Sequence, residues 1–144
     1  MVPMEPDLPL QPEVGGTRRR LLIVDDEQKI CAMLAEHFSL KGYEVRSVCR
    51  GEEAVLLAEA FHPHVVLLDL LMPGLSGADT LVRLKQCPAP PKVVIVSAAD
   101  HEDVIQGVLA RGADFYVCKP LNLTELDHIV TGVCPARDNG GPAA

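Results

Sequence analysis

Long apolar runs and an excess of positive charge are both missing from this chain. None of its hydrophobic stretches approaches the roughly 20 residues that a membrane-spanning helix needs. Residues 1–16 lack a basic segment followed by an apolar core, so we expect no signal peptide. The chain has 13 lysines and arginines against 20 aspartates and glutamates, which gives a formal net charge of −7. Because this balance disfavours binding to phosphate backbones, we expect no direct contact with nucleic acid, and we expect none with a membrane.

Paired cysteines are missing as well. The cysteines are odd in number and none forms a CxxC pair; they are Cys31, Cys49, Cys87, Cys118 and Cys134. This spacing fits neither a zinc site nor a disulfide framework. We therefore expect free and mostly buried thiols in a reducing cytoplasm.

The composition that is present indicates one globular domain with loose ends. The 144 residues are 48% hydrophobic, which is enough for one domain with a sizeable core. Four prolines lie within residues 1–17, and they cannot donate backbone hydrogen bonds, so we expect a disordered proline-rich tail there. We expect the folded domain over residues 18–134 and a C-terminal tail or linker stub over residues 135–144.

Strand-like and helix-like segments alternate along the predicted domain. Four apolar runs are typical of strands in a parallel sheet, and they are Leu21–Val24, Val65–Leu68, Val93–Val96 and Phe115–Cys118. A shorter alternating segment, Tyr43–Val48, fits a sheet edge. The first helix is predicted from an apolar stripe at Ile30, Met33, Leu34, His37 and Phe38. The others are predicted over Glu52–Phe61, about Gly77–Gln86, Glu102–Ala110 and about Leu123–Val133, the last with Asn122 or Thr124 as its N-cap. This alternation predicts an α/β fold, a doubly wound (βα)5 five-stranded parallel sheet with helices on both faces.

Polar side chains follow four of the predicted strands. Asp25 and Asp26 follow the first run, Asp69 follows the central one, and Ser97 and Lys119 follow the last two. In open α/β sheets ligands bind outside the carboxyl ends of the strands. Three carboxylates this close together repel one another and need a cation between them. All-oxygen ligands favour Mg²⁺, with Mn²⁺ as an alternative, over zinc.

These strand ends resemble the receiver domain of bacterial two-component response regulators, the CheY-like family. The matching pieces are Asp25-Asp26, Asp69 with Met72-Pro73-Gly74 and Gly77, Ser97-Ala98, and Lys119-Pro120. The resemblance runs from about Arg19 to about Val133. It implies a flavodoxin-like receiver fold with strand order 2-1-3-4-5, which brings the ends of strands 1 and 3 together.

The resemblance also implies a phosphoacceptor and its metal ligands. Asp69 would be the nucleophile that forms an aspartyl phosphate. Asp26 and Asp69 would bind Mg²⁺ directly and Asp25 through water. The backbone carbonyl of Leu71 would be a further ligand.

The remaining family positions would bind the phosphoryl group and read it out. Mg²⁺ would take one phosphoryl oxygen, the Lys119 ammonium a second, and the Ser97 hydroxyl with the Ala98 N–H a third. The Lys119–Pro120 peptide bond is a cis-proline candidate that would aim the ammonium into the site. Tyr116 would be the switch aromatic, with a fixed half-buried tyrosine as the alternative, and it would couple the site to the face formed by helix 4, strand 5 and helix 5.

The resemblance implies a phosphorylation-dependent signalling switch rather than an enzyme with turnover. Its expected partners are a sensor histidine kinase or phosphotransfer protein, and a downstream protein or covalently linked effector domain, with a phosphorylation-dependent homodimer as a further option. One alternative is a Mg²⁺-dependent phosphotransferase, although the chain has no general acid beside Asp69 and no glycine-rich phosphate loop. The other is a pseudo-receiver that binds partners without phosphorylation, although the full set of acids, hydroxyl and lysine is present.

Overall fold

A computed structural model of the protein describes residues 18–72 and 74–134. The tails predicted over residues 1–17 and 135–144 lie outside the described residues, as does Pro73. Strands and helices alternate along the described chain, in the order β1 (Arg20–Val24), α1 (Gln28–Leu40), β2 (Glu44–Val48), α2 (Gly51–Phe61), β3 (Val65–Leu68), α3 (Gly77–Lys85), β4 (Lys92–Ser97), α4 (Glu102–Ala110), β5 (Phe115–Cys118) and α5 (Leu123–Val133). These bounds match the predicted elements to within about two residues, which is the usual uncertainty of a helix or strand end.

The five strands form one parallel sheet in the order β2-β1-β3-β4-β5. The predicted strand order and fold class are therefore confirmed. The central strand β3 is buried along its whole length, as expected for a strand covered by helices on both faces. The edge strand β2 is only partly buried, which explains its alternating sequence.

Alternating side chains of the strands build two cores, one on each face of the sheet. On one face α1 and α5 cover the strands, and the buried residues there include Leu21, Ile23, Leu34, Phe38, Tyr43, Val65, Leu67, Val94, Val96, Leu126 and Val130. On the other face α2, α3 and α4 cover the sheet. The buried residues there include Leu22, Val24, Ala54, Ala58, Val66, Leu68, Leu81, Leu84, Val93, Ile95 and Val108. Both cores end where the strands end, so the polar residues that follow lie at one rim of the sheet. Within the described ranges, no helix has the length and apolar character to cross a bilayer.

Two packing predictions were wrong in detail. The buried face of α1 consists of Cys31, Leu34 and Phe38, while Met33 is 39% exposed. The buried face of α1 is therefore rotated from the predicted stripe toward Cys31 and away from Met33. The thiols are also less buried than expected, since only Cys31 and Cys134 are buried.

A lysine-bridged acidic site at the carboxyl edge of the sheet

Two buried carboxylates lie side by side at the rim of the sheet. Asp25 follows β1 and is 3% exposed, and Asp69 follows β3 and is 4% exposed. The Asp69 N–H donates to the Val24 carbonyl at 2.9 Å, so the β1–β3 ladder continues to the functional residue itself. A backbone N–H two residues further on orients each side chain. The Glu27 N–H donates to Asp25 Oδ1 at 2.9 Å and the Leu71 N–H donates to Asp69 Oδ1 at 3.1 Å.

Close packing of α3 against the end of β3 fixes the backbone around Asp69. A side chain at Gly77, the first residue of α3, would place its Cβ 2.4 Å from the Asp69 carbonyl oxygen and 2.4 Å from Leu70 Cα. Only glycine avoids that overlap. The Ser76 hydroxyl caps the same helix by accepting from the Asp79 N–H at 3.1 Å. Gly77, expected here from the resemblance, thus has a direct physical role.

Lys119 joins the carboxylates of the site. Its peptide bond to Pro120 is cis, as predicted. Its N–H donates to the Ser97 carbonyl at 2.9 Å, which extends the β4–β5 ladder. The ammonium lies 3.1 Å from Asp25 Oδ2, 3.0 Å from Glu27 Oε1 and 3.2 Å from Asp69 Oδ2. One cation therefore neutralises part of the charge of three acids.

The pKa values reflect this mixture of burial and charge. Burial on its own would lower the pKa of Lys119, but hydrogen bonds to Glu27 and Asp25 and the charges of Asp69 and Asp25 outweigh it, and the pKa is raised. Burial raises the pKa of the Asp25 carboxyl, and the Glu27 N–H and the Lys119 ammonium oppose that rise. Lys119 is therefore held as a cation at neutral pH.

The third acid of this network is Glu27, which the sequence interpretation missed. One carboxylate oxygen from each of Asp25, Glu27 and Asp69 lies within 4.8 Å of the other two. Asp26 is exposed and does not belong to this group. The run Asp25-Asp26-Glu27 carried the available signal, because residues two apart beyond a strand end can return to the same side. Direct binding of a metal by Asp26 stays a prediction.

The acidic group has the chemistry of a site for a hard divalent cation. All its donor atoms are carboxylate oxygens, which are the ligands of Mg²⁺ and related ions. The ammonium of Lys119 already lies within hydrogen-bond distance of all three carboxylates, so the electrostatic field at this point favours positive charge. Leu71 is exposed, and its role as a carbonyl ligand stays a prediction.

A neutral hydrogen-bonded chain lies beside the acidic group. Ser97 is fully buried at the end of β4, and its hydroxyl accepts from the Ala99 N–H at 3.2 Å. The Tyr116 hydroxyl on β5 donates to the Ala99 carbonyl. Burial raises the pKa of Tyr116, and a hydrogen bond with Ser97 opposes the rise. Ala98 lies between Ser97 and Ala99 on the exposed surface, so its N–H role stays a prediction. The structure thus brings the predicted hydroxyl and the predicted switch aromatic together at the backbone of one residue, Ala99, in the loop after β4.

Comparison with known proteins shows which protein family this chain is similar to. Residues 21–131 match the family model described as "Response regulator receiver domain". The probable transcriptional regulator ycf27 of Porphyridium aerugineum is 35% identical over 116 residues, which is 81% of this chain and 48% of that protein. The chain thus spans about half the length of this curated relative.

Solved structures agree with this match. The receiver domain of the Francisella response regulator 1452 superposes with a TM-score of 0.75 at 28% identity, covering 81% of this chain and 96% of that chain. The CheX-CheY-BeF3-Mg complex of Borrelia burgdorferi contains a chain with a TM-score of 0.72 at 26% identity, covering 79% of this chain and 88% of that chain. The family model, the strand order and the acids and lysine at the strand ends lead to one conclusion: this chain belongs to the response regulator receiver domain family, whose members are signalling proteins.

Proposed function

We propose that this protein is a phosphorylation-dependent switch in which Asp69 accepts a phosphoryl group from a histidine kinase or phosphotransfer protein. The observation that carries the proposal is the contact between the buried Asp69 carboxylate and the Lys119 ammonium, at 3.2 Å, beside a second buried acid. A carboxylate with a cation next to it can attack a phosphoryl group and keep the product's charge compensated.

The proposed chemical step is transfer of a phosphoryl group from the donor histidine to Asp69. An Asp69 carboxylate oxygen attacks phosphorus, and the bond between phosphorus and the donor histidine nitrogen breaks, with the nitrogen keeping the electron pair. Lys119 binds one phosphoryl oxygen, and the Ser97 hydroxyl with the Ala98 N–H binds another. The protein supplies position and charge rather than further covalent steps. Beyond this self-phosphorylation and a slow hydrolysis of the acyl phosphate, the proposal includes no turnover of an external substrate.

A divalent cation belongs to the same proposal. Asp25, Asp26, Asp69 and the Leu71 carbonyl would hold Mg²⁺, or Mn²⁺ in its place. The bound ion would neutralise charge on a phosphoryl oxygen as it develops. Support comes from the oxygen-only acidic group of this site and from the related CheY, whose solved complex includes BeF3 and Mg.

The output would leave through the face formed by α4, β5 and α5. Val108 is the single buried residue of α4, while Val104 and Leu109 on α4 and Phe115 on β5 are exposed apolar residues. Tyr116, on β5, links this face to the loop after β4 through the hydrogen bond that its hydroxyl donates to the Ala99 carbonyl. A downstream protein, a linked effector domain or a second copy of the chain would bind there, and a cytoplasmic location fits such partners.

Beryllofluoride labelling tests the phosphoacceptor. Wild-type protein incubated with Mg²⁺ and beryllofluoride should bind the mimic, and incubation with acetyl phosphate and Mg²⁺ should add a phosphoryl group detectable by intact mass. Asp69→Asn should abolish both signals, whereas Asp103→Asn, which removes an exposed acid of α4, should keep them. Full labelling of the Asp69→Asn protein would disprove the assignment.

Amide exchange tests the output face. Beryllofluoride should change protection at Tyr116 and in α4 as well as around Asp25 and Asp69. Coupling between sites in such switches is about 1–3 kcal/mol, so a graded change is expected. Changes confined to the loops that hold the acids would exclude this output route.

A further inference from the structure

Glu27 occupies the cap position of α1 but does not cap the helix. It is the N-cap residue, a place where serine, threonine, aspartate and asparagine are preferred. Within the described residues its side chain makes no capping hydrogen bond. Its carboxylate instead accepts from the Lys119 ammonium at 3.0 Å. The side chain at this position therefore serves the acidic site rather than the helix end.

The hydrogen-bonding capacity of Lys119 is fully used in this arrangement. A lysine ammonium has three N–H donors. Asp25, Glu27 and Asp69 each accept from it, at 3.1, 3.0 and 3.2 Å. Phosphorylation would turn the Asp69 carboxylate into an acyl phosphate, so the charged acceptor at Asp69 would become a phosphoryl oxygen. Lys119 could turn toward that oxygen only by weakening its hydrogen bonds to the two remaining carboxylates, Asp25 and Glu27.

The two remaining carboxylates, Asp25 and Glu27, differ greatly in the free-energy cost of losing the Lys119 ammonium. The side chains of Asp25 and Asp69 are each 5% exposed, and that of Lys119 is 13% exposed, whereas that of Glu27 is 59% exposed. A buried carboxylate that loses its cation keeps an uncompensated charge away from water. An exposed carboxylate that lets go is hydrated at once. Glu27 is therefore the partner that Lys119 can release most easily.

We propose that Glu27 is a positioning residue that holds the Lys119 ammonium at the mouth of the site and competes for it with the phosphoryl group on Asp69. This inference rests on the proposed function of Asp69 and Lys119. Glu27 keeps the ammonium aligned between the two buried acids before phosphorylation. It then sets how readily the ammonium moves to a phosphoryl oxygen, and so how readily the phosphorylated form is reached.

Calorimetric titration of beryllofluoride at saturating Mg²⁺ tests the competition. Glu27→Gln keeps the size of the side chain and removes the charge that attracts Lys119. Loss of an exposed ion pair should tighten beryllofluoride binding by about 1.5-fold to 5-fold. The matched control is Glu36→Gln, which removes the same charge from an exposed position on α1 that has no ion pair among the described residues, and it should leave the affinity unchanged. Unchanged or weaker binding by Glu27→Gln would overturn the proposal.

A second measurement separates competition for Lys119 from a general charge effect. The side-chain nitrogen resonance of Lys119 should shift in Glu27→Gln without beryllofluoride and should stay in place in Glu36→Gln. Tighter binding without this shift would also overturn the proposal. Failure of the proposed function itself has a different signature, since wild-type protein would then not bind beryllofluoride, or Asp69→Asn would still bind it.

Discussion

The rim of the sheet divides into two halves that are built differently. The ionic half, consisting of Asp25, Glu27, Asp69 and Lys119, is held by three ion pairs through one ammonium. The neutral half, consisting of Ser97, Ala99 and Tyr116, is held by hydrogen bonds to the backbone of one residue.

The helices beside the two halves also differ in how many residues they bury. The helix α1 next to the ionic half buries Cys31, Leu34 and Phe38, whereas α4 next to the neutral half buries Val108 alone. Segments with few buried apolar contacts open at lower free energy than well-packed ones. The comparison indicates that the charged residues lie beside the better-packed helix, α1. The part expected to move, next to α4, is held by a few uncharged hydrogen bonds.

The largest expected effect comes from breaking the frame of the ionic half. Gly77→Ala would force a Cβ against the Asp69 carbonyl and Leu70 Cα, both at 2.4 Å. We expect the free energy of unfolding to fall by about 3 kcal/mol, at the upper end of overpacking costs. Gly132→Ala is the control, because its Cβ would meet nothing within 4 Å, and it should be neutral or stabilising by up to about 1 kcal/mol. Urea denaturation measures both, and equal effects would contradict the close-packing argument.

The next largest effect comes from removing the shared cation. Lys119→Ala leaves the charges of three acids uncompensated. We expect the free energy of unfolding to fall by about 1–2 kcal/mol. This is less than for a fully buried ion pair, because Glu27 is exposed. Added Mg²⁺ should then stabilise the variant more than the wild type, because the ammonium no longer opposes a second cation. Lys29→Ala, at an exposed position of α1, should show neither effect. Thermal melts with and without Mg²⁺ would decide, and equal stabilisation of variant and wild type would argue against a shared site.

A smaller effect is expected in the neutral half. Tyr116→Phe removes the hydroxyl that donates to the Ala99 carbonyl and keeps the ring. The loss of one hydrogen bond costs about 0.5–1.5 kcal/mol, and amide exchange should accelerate in residues 98–101 and in α4. Tyr43→Phe, on the α1/α5 face, is the control and should leave exchange in that loop unchanged. Faster exchange at Asp25 and Asp69 in Tyr116→Phe would mean that the two halves are not separately held.

The smallest effect is expected at an ion pair away from the rim. Asp127 on α5 lies 2.6 Å from His37 Nε2 and 3.4 Å from Lys41 Nζ, both at the C-terminal end of α1. Partial burial would raise the pKa of Asp127, but these partners outweigh it and lower the pKa below its ordinary value of 3.8. The stabilisation is therefore present above about pH 3.8 and is lost as the pH falls through the lowered value.

Asp127→Asn should accordingly reduce the free energy of unfolding by about 0.5–1 kcal/mol at neutral pH. The difference from wild type should shrink in acid, and chemical denaturation at several pH values measures it. Asp103→Asn serves as the control, because Asp103 is exposed and has no ion pair in the described part of the chain. A difference that grew in acid would contradict the lowered pKa of Asp127.

The fold and most of the rim followed from the sequence because residues directly after a strand have little freedom. The apolar runs fixed where β1, β3, β4 and β5 end, and so where Asp25, Asp69, Ser97 and Lys119 lie. The cis peptide before Pro120 was predicted through the family resemblance and is present.

What could not be predicted depends on loop torsions and on helix phase. Glu27 reaches Lys119 from the bend between β1 and α1, and no residue pattern specifies the backbone torsions of that bend. The pattern of apolar residues placed Met33 on the buried face of α1, because such a pattern can misplace the buried face of a helix by one residue position. The hydroxyl of Tyr116 could have faced solvent, and its bond to Ala99 depends on how the β4–α4 loop closes.

The parallel pairing of β4 with β5 sets a rule about insertions. Ser97 pairs with Cys118, and the next residue, Lys119, turns to the opposite side of the strand. One residue added within β5 would exchange these sides, so that a thiol rather than an ammonium would point at the acids. The same residue added in the turn between α4 and β5, around Gly112, would leave the alternation intact. An insertion in the turn before β5 therefore leaves Lys119 facing the acids, while an insertion within the strand removes it from the site.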